Sequence, residues 1–285
     1  MKKYILCIFF LSVLNHPALA QSLRISPEQL QQSLGDQDLI ILDTRSEADY
    51  LAGHIDKALS FPIKLTYKND RINGKIISPA NIQKYFRARG IHRDSRIVVY
   101  DNGDIIDAAR LFWVLEVYNL QHVQILDHGY DHWLRKAYPI SLEVNTATSK
   151  SHYIASLNYQ RLASKFTTQL ATRNSNQLII DARNFSDYSG RTSTARRFGH
   201  IPSAIHIPAA HNLMLSKGIT SLKPLNELKK LYQNISKDKK IVIYCAIGRV
   251  SSTNYLALRE LGYDVSNYDA SWNEWGNDDK LPIEK

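Results

Sequence analysis

Apolar runs rich in β-branched residues punctuate this chain at Leu39-Ile40-Ile41-Leu42, Ile97-Val98-Val99, Leu178-Ile179-Ile180 and Ile241-Val242-Ile243. They are nearly continuous in apolar residues instead of alternating with polar ones, and stretches with helical periodicity lie between them. Strands of that kind are buried on both faces, so the pattern predicts an α/β fold in which a parallel sheet is covered by helices on both faces. Ser26-Pro27 and Ser78-Pro79 predict helix starts, with serine at the cap and proline in the first turn. From Glu143 to Ser156 the chain is rich in Thr, Ser, Asn and Lys and the pattern lapses, which reads as an interdomain linker over 143–156.

The plan occurs twice. Asp43-Thr44-Arg45, at the end of the first run, is followed by Tyr50 and Gly53-His54-Ile55; Asp181-Ala182-Arg183 is followed by Tyr188 and Gly199-His200-Ile201-Pro202. The run Arg96 to Asp101 matches Lys240 to Cys245, and Leu126-Asp127 through Trp133 matches Tyr268-Asp269 through Trp275. The copies are collinear apart from one insertion between Tyr188 and Gly199. Duplication at so long a period means two similar domains, expected over 21–142 and 157–285, and not a solenoid.

Cys245 carries the candidate chemistry. It ends the apolar strand of the second copy and opens the turn Ala246-Ile247-Gly248-Arg249-Val250, after which Ser251-Ser252 begins a helical pattern. A thiol at a strand-to-helix turn faces successive backbone N–H groups and the positive end of a helix, which favour an ionised, nucleophilic sulfur. Gly248 permits the tight curvature of an encircling loop. In parallel sheets ligands collect beyond the carboxyl ends of the strands, which is where Cys245 falls.

Lys2-Lys3, the apolar run Tyr4 to Leu14 and the small-residue site Ala18-Leu19-Ala20 predict a signal peptide over 1–20 and a mature chain beginning at Gln21, exported to the periplasm or secreted. Cys7 is then lost with the leader; a lipid anchor on it is disfavoured by the bulky Leu6 before it. No segment is long and apolar enough for a bilayer-spanning helix, so stable membrane insertion is not expected. Cys245 is left without a partner for an internal disulfide and must be shielded, kept reduced or used. About 265 residues remain, ample for two cores without disulfides or a structural metal. The formal charge is +9, but the basic residues are scattered among apolar runs. Nucleic acid is therefore not an expected partner, and a positive field would recruit small anions.

The Asp-x-Arg and Gly-His-Ile motifs of both halves, the Tyr244-Cys245-Ala246-Ile247-Gly248 loop and the ending Tyr268-Asp269-Ala270-Ser271-Trp272-Asn273-Glu274-Trp275-Gly276 resemble the tandem-domain rhodaneses, the thiosulfate and 3-mercaptopyruvate sulfurtransferases. The resemblance covers almost the whole mature chain. It implies two rhodanese-like domains, the first catalytically silent, where Asp101 stands opposite Cys245, and the second catalytic. It implies that Cys245 takes sulfur from a small donor as a persulfide and passes it to a thiophilic acceptor, cyanide, a small thiol or a protein thiol, with no metal or organic cofactor. The N–H groups of Ala246, Ile247, Gly248, Arg249 and Val250 would cradle the persulfide.

Arg249 is expected to bind an anionic donor, and Arg197 matches a position where relatives carry a substrate-side arginine. Val250 stands where many relatives carry arginine or threonine. Asp181 and Arg183 are expected to pair and brace the loop, and His200 to pack a turn; Trp272 and Trp275 either wall the pocket or fill the core. Thiosulfate is the leading donor, because Ala246-Ile247-Gly248 lacks the Gly-Ser-Gly that follows the cysteine in mercaptopyruvate enzymes. A mercaptopyruvate enzyme and a persulfide carrier without turnover remain open. A phosphatase of related fold would need arginine where Ser251 stands.

Overall fold

The computed structural model describes residues 22–68, 74–216 and 218–285, so the expected signal peptide lies outside the described residues. Each half forms a five-stranded sheet in which every neighbouring pair is parallel. In the first, the spatial order is Arg24–Ile25, Val123–Leu126, Arg96–Tyr100, Leu39–Asp43, Leu59–Ser60. In the second it is Leu162–Ala163, Val265–Tyr268, Lys240–Tyr244, Gln177–Asp181, Ile205–His206, the same order in the same sense. Registers match too: Asp43 pairs with Tyr100 as Asp181 pairs with Tyr244. Ser26 and Ser78 cap the helices Pro27–Ser33 and Pro79–Ala88 as expected, Ser26 through a capping box with Gln29.

Alternate residues of each central strand feed different cores, which is why the strands read as continuous apolar runs. Ile41, Val98 and Tyr100 pack with Leu30 and Trp133 on the outer face of the first sheet. Ile179, Val242 and Tyr244 pack with Trp272 and Trp275 on the outer face of the second. Leu42, Ile97 and Val99 on one side, and Ile180, Ile241 and Ile243 on the other, meet in a single core that runs through both halves.

The helices Ile106–Val117 and Ser251–Glu260 pack against each other in that shared core. The first is apolar nearly all round and is buried over Ala108–Leu115 and Val117. Polar bonds pin the seam: Glu116 accepts from Tyr255 Oη at 2.5 Å and from Arg259 Nε and Nη2 at 3.0 and 2.8 Å, and Arg24 pairs with Glu260 at 2.8 Å. Residues 143–156 carry no helix or strand, yet they lie against the first domain. The Ser151 hydroxyl donates to Ile91 O at 2.6 Å, and Tyr153 is buried in the shared core.

Candidate active site

The Tyr244 phenol and the Arg183 guanidinium converge on one buried carboxylate at the strand end that precedes Cys245. Asp181 accepts from the Arg183 backbone N–H at 2.9 Å, from its Nε at 3.0 Å and Nη2 at 2.6 Å, and from Tyr244 Oη at 2.6 Å. Arg183 Nη2 also reaches Gly199 O at 2.8 Å, and Tyr244 Oη accepts the Ile201 N–H at 3.0 Å, so the Gly-His-Ile turn is tied to the same knot. The pairing expected of Asp181 and Arg183 is therefore in place, with the guanidinium lying over the Trp272 ring. Burial and the neighbouring Asp181 charge keep the Tyr244 phenol protonated well beyond its ordinary range.

Cys245 is buried, with its side chain among Ala182, Ala209 and Val250. The Ser251 hydroxyl lies within donating distance of Sγ, at 3.4 Å, and of Asn267 Oδ1, at 2.9 Å. The loop carbonyls point away from the sulfur and into the protein. Cys245 O accepts the Trp272 N–H at 3.0 Å and Ala246 O the Asn273 N–H at 2.9 Å. Gly248 O accepts three donors: Ser252 Oγ at 3.1 Å, Asn267 Nδ2 at 3.0 Å and Arg110 Nη1 at 3.0 Å. Gly248 has φ +70°, and a Cβ there would collide with the Asp269 carbonyl, so the curvature expected of this glycine is required. Among the described residues, the N–H groups of 246–250 meet no protein acceptor.

The matching loop of the first domain shows what such N–H groups converge on. Asp101 takes the place of Cys245, and its carboxylate accepts the N–H groups of Gly103 at 2.9 Å, Ile105 at 3.2 Å and Ala108 at 3.1 Å. Burial and the neighbouring Asp104 nevertheless raise Asp101 from 3.8 to about 7.

Beside the Cys245 loop lies a cavity of about 300 Å³ whose wall includes Ala182, Arg183, Asp187, Ala209, Ala246 and Val250. Arg249 and Arg197 are not among its lining residues. Arg249 Nε is bonded to Asp107 of the first domain at 2.6 Å, which raises its pKa, and a good third of its side chain remains exposed. The Arg197 guanidinium donates to the carbonyls of Trp275, Gly276, Asp278 and Leu281 at 2.5–3.4 Å. It braces the C-terminal segment and, unlike the substrate-side arginine expected there, does not line this cavity. Trp272 and Trp275 are core residues, bonded through their indoles to Ser193 and Pro282. His200 packs its turn as expected, stacked on Tyr188, just as His54 stacks on Tyr50.

The sequence reading missed Ser251 as a neighbour of the sulfur, Asn267 as a support for Gly248, and Arg110. The last had a signal: a lone cation in the apolar helix Ala108-Ala109-Arg110-Leu111-Phe112-Trp113 has to find buried acceptors.

The rhodanese-like domain model matches this sequence twice, over residues 26–136 and 164–278. The chain belongs to the rhodanese family. As a tandem rhodanese it is 28% identical over 279 residues to the 3-mercaptopyruvate sulfurtransferase of Escherichia coli K12, covering 91% of this chain and 97% of that protein. It is 29% identical over 262 residues to the thiosulfate sulfurtransferase of Pseudomonas aeruginosa, covering 91% and 96%. The crystal structure of SseA from Escherichia coli, a 3-mercaptopyruvate enzyme of rhodanese fold, superposes with a TM-score of 0.78 at 25% identity, over 88% of this rhodanese and 99% of that chain.

Proposed function

We propose that this rhodanese is a sulfurtransferase that carries sulfane sulfur as a persulfide on Cys245, with thiosulfate as donor and cyanide or a thiol as acceptor. The observation that carries the reading is the pair of loops. One holds a carboxylate with inward N–H groups; the other has a sulfur in the same position, followed by N–H groups that meet no protein acceptor among the described residues. A persulfide anion is the group that fits the second loop.

In the first half-reaction the Cys245 thiolate attacks the outer sulfur of thiosulfate, the sulfur–sulfur bond breaks, and sulfite leaves with its electron pair. In the second, cyanide attacks the terminal sulfur, thiocyanate departs and the thiolate returns. Charge is conserved in both steps, so the site has no proton to supply. The loop N–H groups stabilise negative sulfur throughout, and the Ser251 hydroxyl adds to them when its one proton turns from Asn267 Oδ1 to Sγ. The likeness to the Pseudomonas enzyme supports thiosulfate, and the comparable likeness to the Escherichia coli enzyme supports 3-mercaptopyruvate as the second reading. The leader-like pattern of the first twenty residues supports export as part of this reading, with the reaction outside the cytoplasm.

Incubation of the mature protein with thiosulfate should add the mass of one sulfur atom at Cys245, and cyanide should remove it as thiocyanate. Cys245→Ser should abolish both. An unchanged mass with thiosulfate but a gain with mercaptopyruvate would transfer the assignment to the second reading. No gain with either donor would end it.

A further inference from the structure

Arg110 belongs to the first domain and is fully buried, yet its guanidinium serves the second. Nη1 donates to Gly248 O and Nη2 to Gly74 O, each at 3.0 Å, while the group lies between the rings of Tyr67 and Trp113 at 4.6 and 4.4 Å. Among the described residues its buried Nε–H meets no acceptor. A buried cation with an unmatched donor is destabilising on its own account, so stability alone is a poor reason for this arrangement.

The peptide joining Gly248 to Arg249 supplies a better one. Carbonyl and N–H of one peptide point in opposite directions. With Gly248 O held by Arg110, Ser252 and Asn267, the Arg249 N–H is turned to the opposite side of the peptide, where it meets no protein acceptor among the described residues. A charged donor on the carbonyl also polarises the peptide and strengthens that N–H. Gly74 completes the clamp, since its backbone presses on Ile247 so closely that a Cβ would collide with the Ile247 carbonyl. We propose that Arg110 is a positioning residue for the sulfur-bearing loop of the other domain, holding the Gly248–Arg249 peptide in the orientation that stabilises negative sulfur on Cys245.

Burial lowers the Arg110 pKa, and Tyr67, Asp269, Cys245 and Asp107 are among the titratable groups whose charge acts on it. Asp107 is matched by Arg249, and Asp269 accepts the N–H groups of Ile76 and Ala270 at 2.7 Å each. Arg110 therefore has no carboxylate of its own within salt-bridge distance among the described residues, and its charge is directed at the loop.

The inference rests on Cys245 as the nucleophile, but its test needs no sulfur donor. In the mature protein, Cys245 is the sole cysteine, so alkylation by iodoacetamide can be followed by intact mass against pH. Arg110→Met should slow alkylation about tenfold at neutral pH and move the half-maximal pH up by about one unit. Arg110→Lys, a point charge without the planar fork, should fall between. Ser252→Ala, which removes a different donor from the same carbonyl, should move the profile in the same direction by less. An unchanged profile in folded Arg110→Met overturns the proposal. If that variant does not fold, unchanged profiles in both Arg110→Lys and Ser252→Ala overturn it. If the profiles shift but neither thiosulfate nor mercaptopyruvate loads sulfur, the sulfur-transfer reading fails and the role of Arg110 stands.

Discussion

Replacing Asp181 by asparagine is expected to destabilise the second domain by about 3–5 kcal/mol, the range for stranding one partner of a buried ion pair. The carboxylate accepts three N–H bonds from Arg183 and one O–H bond from Tyr244, and both charged side chains are almost completely shielded from water. Each charge-assisted bond is worth about 1.5–3 kcal/mol. They do not add, because an amide keeps one accepting oxygen; the uncompensated guanidinium over Trp272 dominates. In urea, with a slope of roughly 2–3 kcal/mol per molar for a unit of this size, the midpoint should fall by roughly 1–2 M. Adding Arg183→Met should restore most of the loss by removing the stranded charge. The first domain provides an internal control. Asp43 holds Arg45 at 2.9, 3.0 and 2.6 Å and Tyr100 at 2.5 Å, so Asp43→Asn should lower stability as much. Persulfide loading should suffer in Asp181→Asn, because Tyr244 directly precedes Cys245, and persist in folded Asp43→Asn. A loss below about 1 kcal/mol in both variants would refute the assignment of these knots as the braces of their strand ends.

Arg249→Ala should lower kcat/KM for thiosulfate by about tenfold at low salt and less at high salt, since the side chain is partly exposed and already engaged by Asp107; unchanged kinetics at low ionic strength would leave donor binding to backbone groups. The raised Asp101 carboxyl keeps a proton in the native state between about pH 4 and 7 that the unfolded chain has lost, so it makes stability fall as pH rises through that window. Asp101→Asn should remove that slope, and denaturation at pH 5 and pH 8 would contradict the account if the wild type gained on the variant at the higher pH. N-terminal sequencing of the exported protein should begin at Gln21, and a start elsewhere would displace the cleavage site.

The sheets, their doubling and the tight turn after Cys245 were legible because each rests on local chemistry. Continuous β-branched runs specify buried strands, and Asp-x-Arg two residues apart places a carboxylate within reach of its own neighbour's N–H and guanidinium. What sequence could not convey was partnership across the seam. Arg249 reads as a free cation until the fold brings Asp107 beside it, and Arg197 reads as a pocket residue until the last turn supplies its carbonyls. Ser251, Ser252 and Asn254 look like the exposed start of a polar helix, yet they are buried, because Asn267, Tyr232 and Ile207 O come from distant segments to meet them, while Gly248 O, one turn back, takes the Ser252 hydroxyl. Residues 143–156 have the composition of a loose tether, and only the buried Ser151 and Tyr153 reveal that it is fastened down.

The carboxylate of Asp101 makes the first loop permanently occupied. Its anion-capable group is covalently part of the chain, so the shape of that loop does not depend on what the solution contains. The Cys245 loop, by contrast, alternates between holding one sulfur and holding two during each proposed turnover. Half of the molecule is thus a clockwork with a moving escapement and the other half its fixed plate. Because the helix that follows Asp101 also carries Arg110, the copy that has no cysteine in its loop would keep the proposed sulfur-bearing loop of the other copy in alignment.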